Sequence, residues 1–146
     1  MGSGFLPPNA YVTLDCEFIL LFRKGNIRKF PPHDKLRYES VFTKTQRDEW
    51  FSQIWALKGT RQTIIELERR TAAYPDEIAE RLIKMFSVKG ETVLDPFLGS
   101  GTTTKIAMRN ERNSIGYETD KNLLSILTKK TRSNDHETSD VKIIKR

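Results

Sequence analysis

The chain has 146 residues, enough for one ordinary domain with one core, and its 37% hydrophobic and 30% charged content is that of a globular protein. A single cysteine, Cys16, excludes an internal disulfide framework and a cysteine-rich zinc site. No apolar run is long enough to span a membrane and no basic-then-apolar signal segment opens the chain, so a cytoplasmic protein is expected. The net charge of +6 is unevenly placed: residues 23–47 hold eight Lys/Arg against two acids, residues 71–120 six against eight, and the tail from Lys121 seven against three. Two basic ends flank a slightly acidic middle, a distribution that suits phosphate neutralisation by counterion release as well as a plain solvated surface.

In chain order, "YVTLDCEFILLF" (11–22) alternates apolar and polar residues and predicts a strand, with Cys16 in its core face. "RKGN" turns the chain. Residues 23–44 are basic and broken by Pro31-Pro32, which predicts a loop or irregular segment carrying Phe30, Tyr38 and Phe42. "TQRDEWFSQIWAL" (45–57) predicts a helix with Trp50, Ile54 and Leu57 at helical spacing, while residues 58–70 are polar and give no pattern. "YPDEIAERLIKMF" (74–86) predicts the clearest helix, with Pro75 in its first turn and Ile78, Leu82, Met85 and Phe86 as its apolar stripe. "TVL" reads as a short buried strand, 102–109 as a helix, 113–117 as another strand and 122–130 as a helix. "SNDHETSD" reads as flexible, and "VKIIKR" as a strand or a frayed end.

Strand, Gly-rich turn, helix and strand over 92–117 make one β-α-β unit, which sets a bare glycine backbone and a helix N-terminus at the carboxyl edge of a parallel sheet, where ligands bind. Glu118 follows Asp95 by 23 residues, the spacing at which an acid can accept ribose hydroxyls. The phosphate-loop pattern fails because Thr102 follows Gly101, and the dinucleotide fingerprint fails because Thr104 stands where a third glycine is needed. Asp95 directly before the turn would repel a pyrophosphate and suits a cationic group, such as the amino or sulfonium region of S-adenosylmethionine. A purely structural turn is the competing reading.

"VLDPFLGSGTT" closely resembles the S-adenosylmethionine loop of DNA amino-methyltransferases, which modify adenine N6 or cytosine N4. "RTAAYPDEIAERLIKMFS" resembles the segment that precedes that loop in the permuted class, "NSIGYETD" the segment with the ribose acid, and "LDCEFILLFRKG" the strand before the target-recognition region. "MGSGFLPPNAYVT" is similar to a stretch ahead of that strand, so "MGSG" is read as native. The permuted class runs catalytic motif, strand, recognition region, cofactor segment, cofactor loop, ribose acid, and the last five stand here in that order across residues 1–120.

The resemblance implies an α/β fold: a partial, Rossmann-like methyltransferase fold with a mostly parallel sheet and flanking helices, incomplete without its upstream half. It divides the chain into a strand segment (1–22), part of a target-recognition region (23–70), a cofactor-binding β-α-β part (71–132) and a flexible tail (133–146). It implies that Asp95, Pro96, Phe97, Gly99, Ser100 and Gly101 line the cofactor pocket. By the same resemblance Thr102 and Thr103 meet the methionine carboxylate, Glu118 holds the ribose, and Ala73, Tyr74 and Pro75 approach the methionine end. Arg23, Lys24, Arg28, Lys29, Lys35 and Arg37 would contact DNA phosphates. No metal is expected.

The family's catalytic tetrapeptide, Asp/Asn/Ser-Pro-Pro-aromatic, orients the amino nitrogen of a flipped base. "LPPN" (6–9) and "FPPH" (30–33) do not match it, and Cys16, in a position where relatives often carry His, lacks the preceding proline of a cytosine-C5 nucleophile. The chain therefore reads as the cofactor part and some of the recognition part of a double-stranded DNA methyltransferase, needing its catalytic half in cis or trans and prone to self-association through an unpaired sheet. The alternatives are a non-catalytic DNA-binding module, a subunit of a split enzyme, or an unrelated nucleotide-binding enzyme.

Overall fold

The computed structural model describes residues 16–57, 74–132 and 142–144. In chain order these form α1 (Lys35–Glu39), α2 (Lys44–Trp50), α3 (Asp76–Phe86), β1 (Thr92–Asp95), α4 (Thr102–Arg109), β2 (Asn113–Gly116), a 3-10 turn (Lys121–Leu123) and α5 (Leu124–Arg132). β1 and β2 pair in parallel, Thr92 opposite Asn113 through Asp95 opposite Gly116, with α4 as the crossover. The expected β-α-β unit is therefore present, with 102–109 helical as read.

The core is small. Ala79 and Ile83 of α3 meet Ile106 and Ala107 of α4, and Val93 of β1 packs against them. Ile106 is fully buried, a site where truncation to alanine typically costs about 2–5 kcal/mol. The buried face of α3 is thus one position round from the expected stripe: Ile78, Leu82 and Met85 are half-buried and Phe86 is 56% exposed. The two alanines decide this, because they let the α3 and α4 backbones come close where larger side chains would hold them apart. Pro75 is the N-cap of α3, just before its first turn, and Asp76 and Glu77 face the helix dipole.

Other expectations change for tertiary reasons. "TVL" is not buried on both faces: Val93 faces α4, whereas Leu94 and, opposite it, Ile115 are 61% and 52% exposed, because α4 covers one face only. Residues 16–22 form no strand, and Cys16, Phe18, Leu20 and Phe22 are exposed, since no strand among the described residues pairs with them. Helix 45–57 stops at Trp50. Beyond it Ile54 is exposed and Trp55 turns back to donate its indole N–H to Trp50 O at 2.9 Å. Residues 23–44 are irregular as read, except for the five-residue α1, which Asp34 caps through Arg37 N–H. Residues 142–144 form no regular element, and the reading of 133–141 lies outside the described residues.

Three interactions dock the basic segment on the β-α-β unit. Buried Arg81 of α3 pairs with Glu77 and lies 5.9 Å and 5.0 Å from the ring centres of Trp50 and Trp55. Lys89 N–H donates to Ser40 Oγ at 3.0 Å. Arg28 bonds to Glu91, and this bond is the main cause that holds the Glu91 carboxyl below its ordinary value.

Two outcomes are expected. A carboxyl pKa depressed in the folded state stabilises above the unfolded pKa and is lost as pH falls through the folded value. Carbon-detected NMR titration should therefore find Glu91 ionising below 4.5 and moving back up in Arg28→Ala. Gly101 has φ +84°, and a Cβ there would sit 2.3 Å from Leu127 Cδ1. Gly101→Ala should cost about 2 kcal/mol or more in urea unfolding, and clearly less in a Leu127→Ala background. Equal costs in both backgrounds would remove the steric part of that account.

Candidate cofactor site

The loop between β1 and α4 closes by using its own acids. Asp95, the last residue of β1, accepts the Phe97 N–H at Oδ1 (3.0 Å) and the Thr103 hydroxyl at Oδ2 (2.5 Å). The Tyr74 hydroxyl bonds to the same Thr103 Oγ1, so a chain runs from the entry of α3 through the first turn of α4 to the end of β1. Leu98 N–H donates to Tyr117 O at 2.9 Å and Gly101 N–H to Leu98 O at 2.9 Å. Gly99 N–H donates to Glu118 Oε2 at 2.7 Å, while Glu118 Oε1 accepts from Asp120 N–H at 2.7 Å.

The far side of the loop rests on α5. Leu127 packs against the bare Cα of Gly101, and Lys130 Nζ donates to buried Ser100 Oγ at 2.7 Å. Left-handed backbone at Gly101, the N-cap of α4, aims the chain into the helix. The first intrahelical bond that the loop accepts is Lys105 N–H to Gly101 O, 3.0 Å, so the amides of Thr102, Thr103 and Thr104 precede the helical ladder. They form the positive end of the helix dipole, suited to a carboxylate, with two buried threonines among them.

Most of the expected pocket residues converge here. Tyr74, Asp95, Gly99, Ser100, Gly101, Thr102, Thr103 and Glu118 lie on or directly against one turn. Pro96 and Phe97 form its exposed tip, Phe97 being 87% exposed, so Phe97 is a surface ring and not core. Pro75 caps α3 next to Tyr74, and Ala73 lies outside the described residues. The basic residues do not behave as one set. Arg23, Lys24 and Lys29 are exposed. Arg28 is bound to Glu91 and Lys35 lies 3.6 Å from Glu39. The Arg28 and Arg37 guanidinium groups lie 4.4 Å and 5.3 Å from the Phe30 ring centre.

"FPPH" lines an open cleft of about 410 Å³ with Arg37, Tyr38 and Val41, where His33 and Tyr38 are near parallel with ring centres 6.4 Å apart. Sequence reasoning missed Lys130, Leu127 and Leu98, because no local pattern announces a side chain that supports a loop distant from it in the chain. Among the described residues, no group of three or more His, Cys, Asp or Glu side chains converges to hold a metal, and no helix is long and apolar enough to cross a membrane.

Comparison with known proteins gives the same direction from three sides. A family model described as DNA methylase matches residues 2–129. The Type II methyltransferase M.MjaI of Methanocaldococcus jannaschii is 64% identical over 130 residues, covering 89% of this chain and 43% of that protein. M.MthZI of Methanothermobacter thermautotrophicus, also a Type II methyltransferase, is 51% identical over 132 residues, covering 87% of this chain and 37% of its own length. A crystal structure of a DNA modification methylase from Thermus thermophilus with S-adenosyl-L-methionine superposes with a TM-score of 0.60 at 34% identity, over 74% of this chain and 40% of that one. The chain thus spans about two fifths of the length of these relatives, and its fold is the expected partial Rossmann-like one.

The Tyr74–Thr103–Asp95 chain has a titration signature. Burial pushes the Tyr74 phenol up, the Thr103 bond opposes this, and the Asp95 charge adds to the rise. The fold therefore favours the neutral phenol, a contribution present below the unfolded value and lost as pH rises through the folded one. An absorbance titration of wild type minus Tyr74→Phe should show a phenol ionising above pH 10. A difference curve centred at or below that value would contradict the buried bond.

Proposed function

The chain belongs to the DNA methylase family of amino-methyltransferases, and from that premise we propose that it forms the S-adenosylmethionine-binding part, with a portion of the DNA-reading region, of an enzyme that methylates the exocyclic amino group of adenine or cytosine in double-stranded DNA. The observation that carries the cofactor assignment is the loop itself: Asp95, Gly99, Gly101, Thr102, Thr103 and Glu118 gathered at the carboxyl edge of a parallel pair, with the first amides of α4 open to an anion.

In this reading the threonine amides and hydroxyls receive the methionine carboxylate, and Asp95 supplies negative potential toward the amino and sulfonium end. Glu118 accepts the ribose hydroxyls. When bound, S-adenosylmethionine supplies the methyl group on its cationic sulfur. Phe97 and Tyr117, both exposed beside the loop, provide apolar rings against which an adenine can lie. Arg23, Lys24 and Lys29 meet backbone phosphates, while Arg37 and Tyr38 offer stacking surfaces beside the cleft. Arg28 serves the fold through Glu91 in place of a phosphate.

The residues that orient the acceptor base are not in this chain's two Pro-Pro stretches, so methyl transfer requires a catalytic half in cis or in trans. The uncovered sheet face at Leu94 and Ile115 is where that half, or a second copy, would shield apolar surface. A non-catalytic DNA-binding module is the second reading, favoured by the missing tetrapeptide alone.

Calorimetric titration with S-adenosylmethionine tests the proposal. The wild-type chain should show saturable, single-site binding that Asp95→Ala abolishes. No saturable heat from the wild type, alone or mixed with a catalytic segment supplied in trans, would overturn the cofactor assignment.

A further inference from the structure

Glu118 stands two residues beyond the end of β2, and both of its carboxylate oxygens are in use without any ligand. Oε2 receives the Gly99 N–H and Oε1 the Asp120 N–H, each at 2.7 Å. Gly99 sits in the left-handed region at φ +54°, in the middle of the cofactor loop. Two other contacts tie the same stretch to the strand exit: Leu98 N–H donates to Tyr117 O, and the Leu98 side chain fills the space over Gly116, where a Cβ would come within 2.7 Å of it. The loop and the segment after β2 are therefore joined along three successive residues, and Glu118 makes the charged link of that seam. Charge-assisted bonds to backbone amides are the stronger kind, and this one spans 19 residues of sequence.

We infer that Glu118 is a positioning residue for the cofactor loop, acting on the loop backbone through Gly99 before any ligand arrives. This rests on the cofactor reading above and extends it, because a ribose acid would act only through ribose hydroxyls. Each carboxylate oxygen has two lone pairs, and each spends one on an amide, so the latch and a ribose diol can be held together. A loop already fixed in its bound shape spares the ligand the ordering cost. Part of what Glu118 contributes to affinity therefore passes through the protein, and ligands with no ribose hydroxyls share in it.

The test separates the two routes. Affinities of wild type, Glu118→Ala and Glu118→Gln are measured for S-adenosylmethionine and for its 2′,3′-dideoxy analogue. Glu118→Ala should weaken the dideoxy analogue by about tenfold, the effect of losing a charged hydrogen bond, and Glu118→Gln, which keeps one acceptor oxygen, should recover part of that. An analogue affinity unchanged in Glu118→Ala would overturn the proposal.

Amide exchange on the unliganded chain gives a second readout. The Gly99 amide should exchange at least about tenfold faster in Glu118→Ala while the ladder amide of Tyr117 keeps its protection, which shows that the sheet is intact. Gly99 exchange at the wild-type rate would likewise overturn the latch. If the wild type binds neither compound, the cofactor reading fails, and Gly99 exchange still decides whether the latch exists.

Discussion

A turn that offers bare backbone to a ligand must satisfy the rest of its polar groups from within its own protein. The loop after β1 meets that constraint. Phe97, Leu98, Gly99 and Gly101 all give their amide hydrogens to protein acceptors, supplied by Asp95, Tyr117, Glu118 and Leu98. The amides that open α4 are left for something else. Everything around the loop can be understood as support for this division: the threonine that holds Asp95, the tyrosine that holds the threonine, the helix that props Gly101 and Ser100. Desolvation makes the arrangement exacting, since a buried amide without a partner costs about 1–3 kcal/mol.

The parts of the molecule that local chemistry dictates are legible in the residues alone. Strand, glycine turn, helix and strand over 92–117 follow from spacing, and the distance of Glu118 from Asp95 singles it out. The parts set by distant neighbours are not legible. The face of α3 depends on where Ala107 allows close approach, which no periodicity within 74–86 contains. The alternation in 11–22 suits a strand, yet residues 16–22 lack a partner among the described residues and stay exposed. Helix α2 ends early because Trp50 is drawn into contact with Phe42, Arg81 and Lys84, and the chain beyond it bends to bring Trp55 alongside. Charge counts identify a basic segment but cannot tell the cations facing solvent from Arg28, which is committed to Glu91.

That commitment matters for how the two parts of the chain communicate. The segment bearing the Phe30–Tyr38 cleft is fastened to the β-α-β unit at Glu91, just before β1, and at Arg81, in the middle of α3. Tyr74 and Asp76, at the start of α3, bond in turn to Thr103 and Lys105 of α4. One helix therefore carries an aromatic-cation joint on one side and a hydroxyl chain to Asp95 near its start. Arg81 can occupy its buried position only because Glu77 neutralises it and two indole faces replace its water.

The props beneath the loop also have a temporal side. Leu127 lies 26 residues after Gly101, and Lys130 lies 30 after Ser100. During synthesis the glycine turn leaves the ribosome well before the helix that supports it, and closing contacts of that separation come late. The strand pair and α4 can form from neighbouring sequence, but Ser100 and Gly101 reach their final setting only after α5 has emerged and docked. For the nascent chain, acquiring the sheet and acquiring the ligand-ready turn are two events, and the second waits on the helix ending at Arg132.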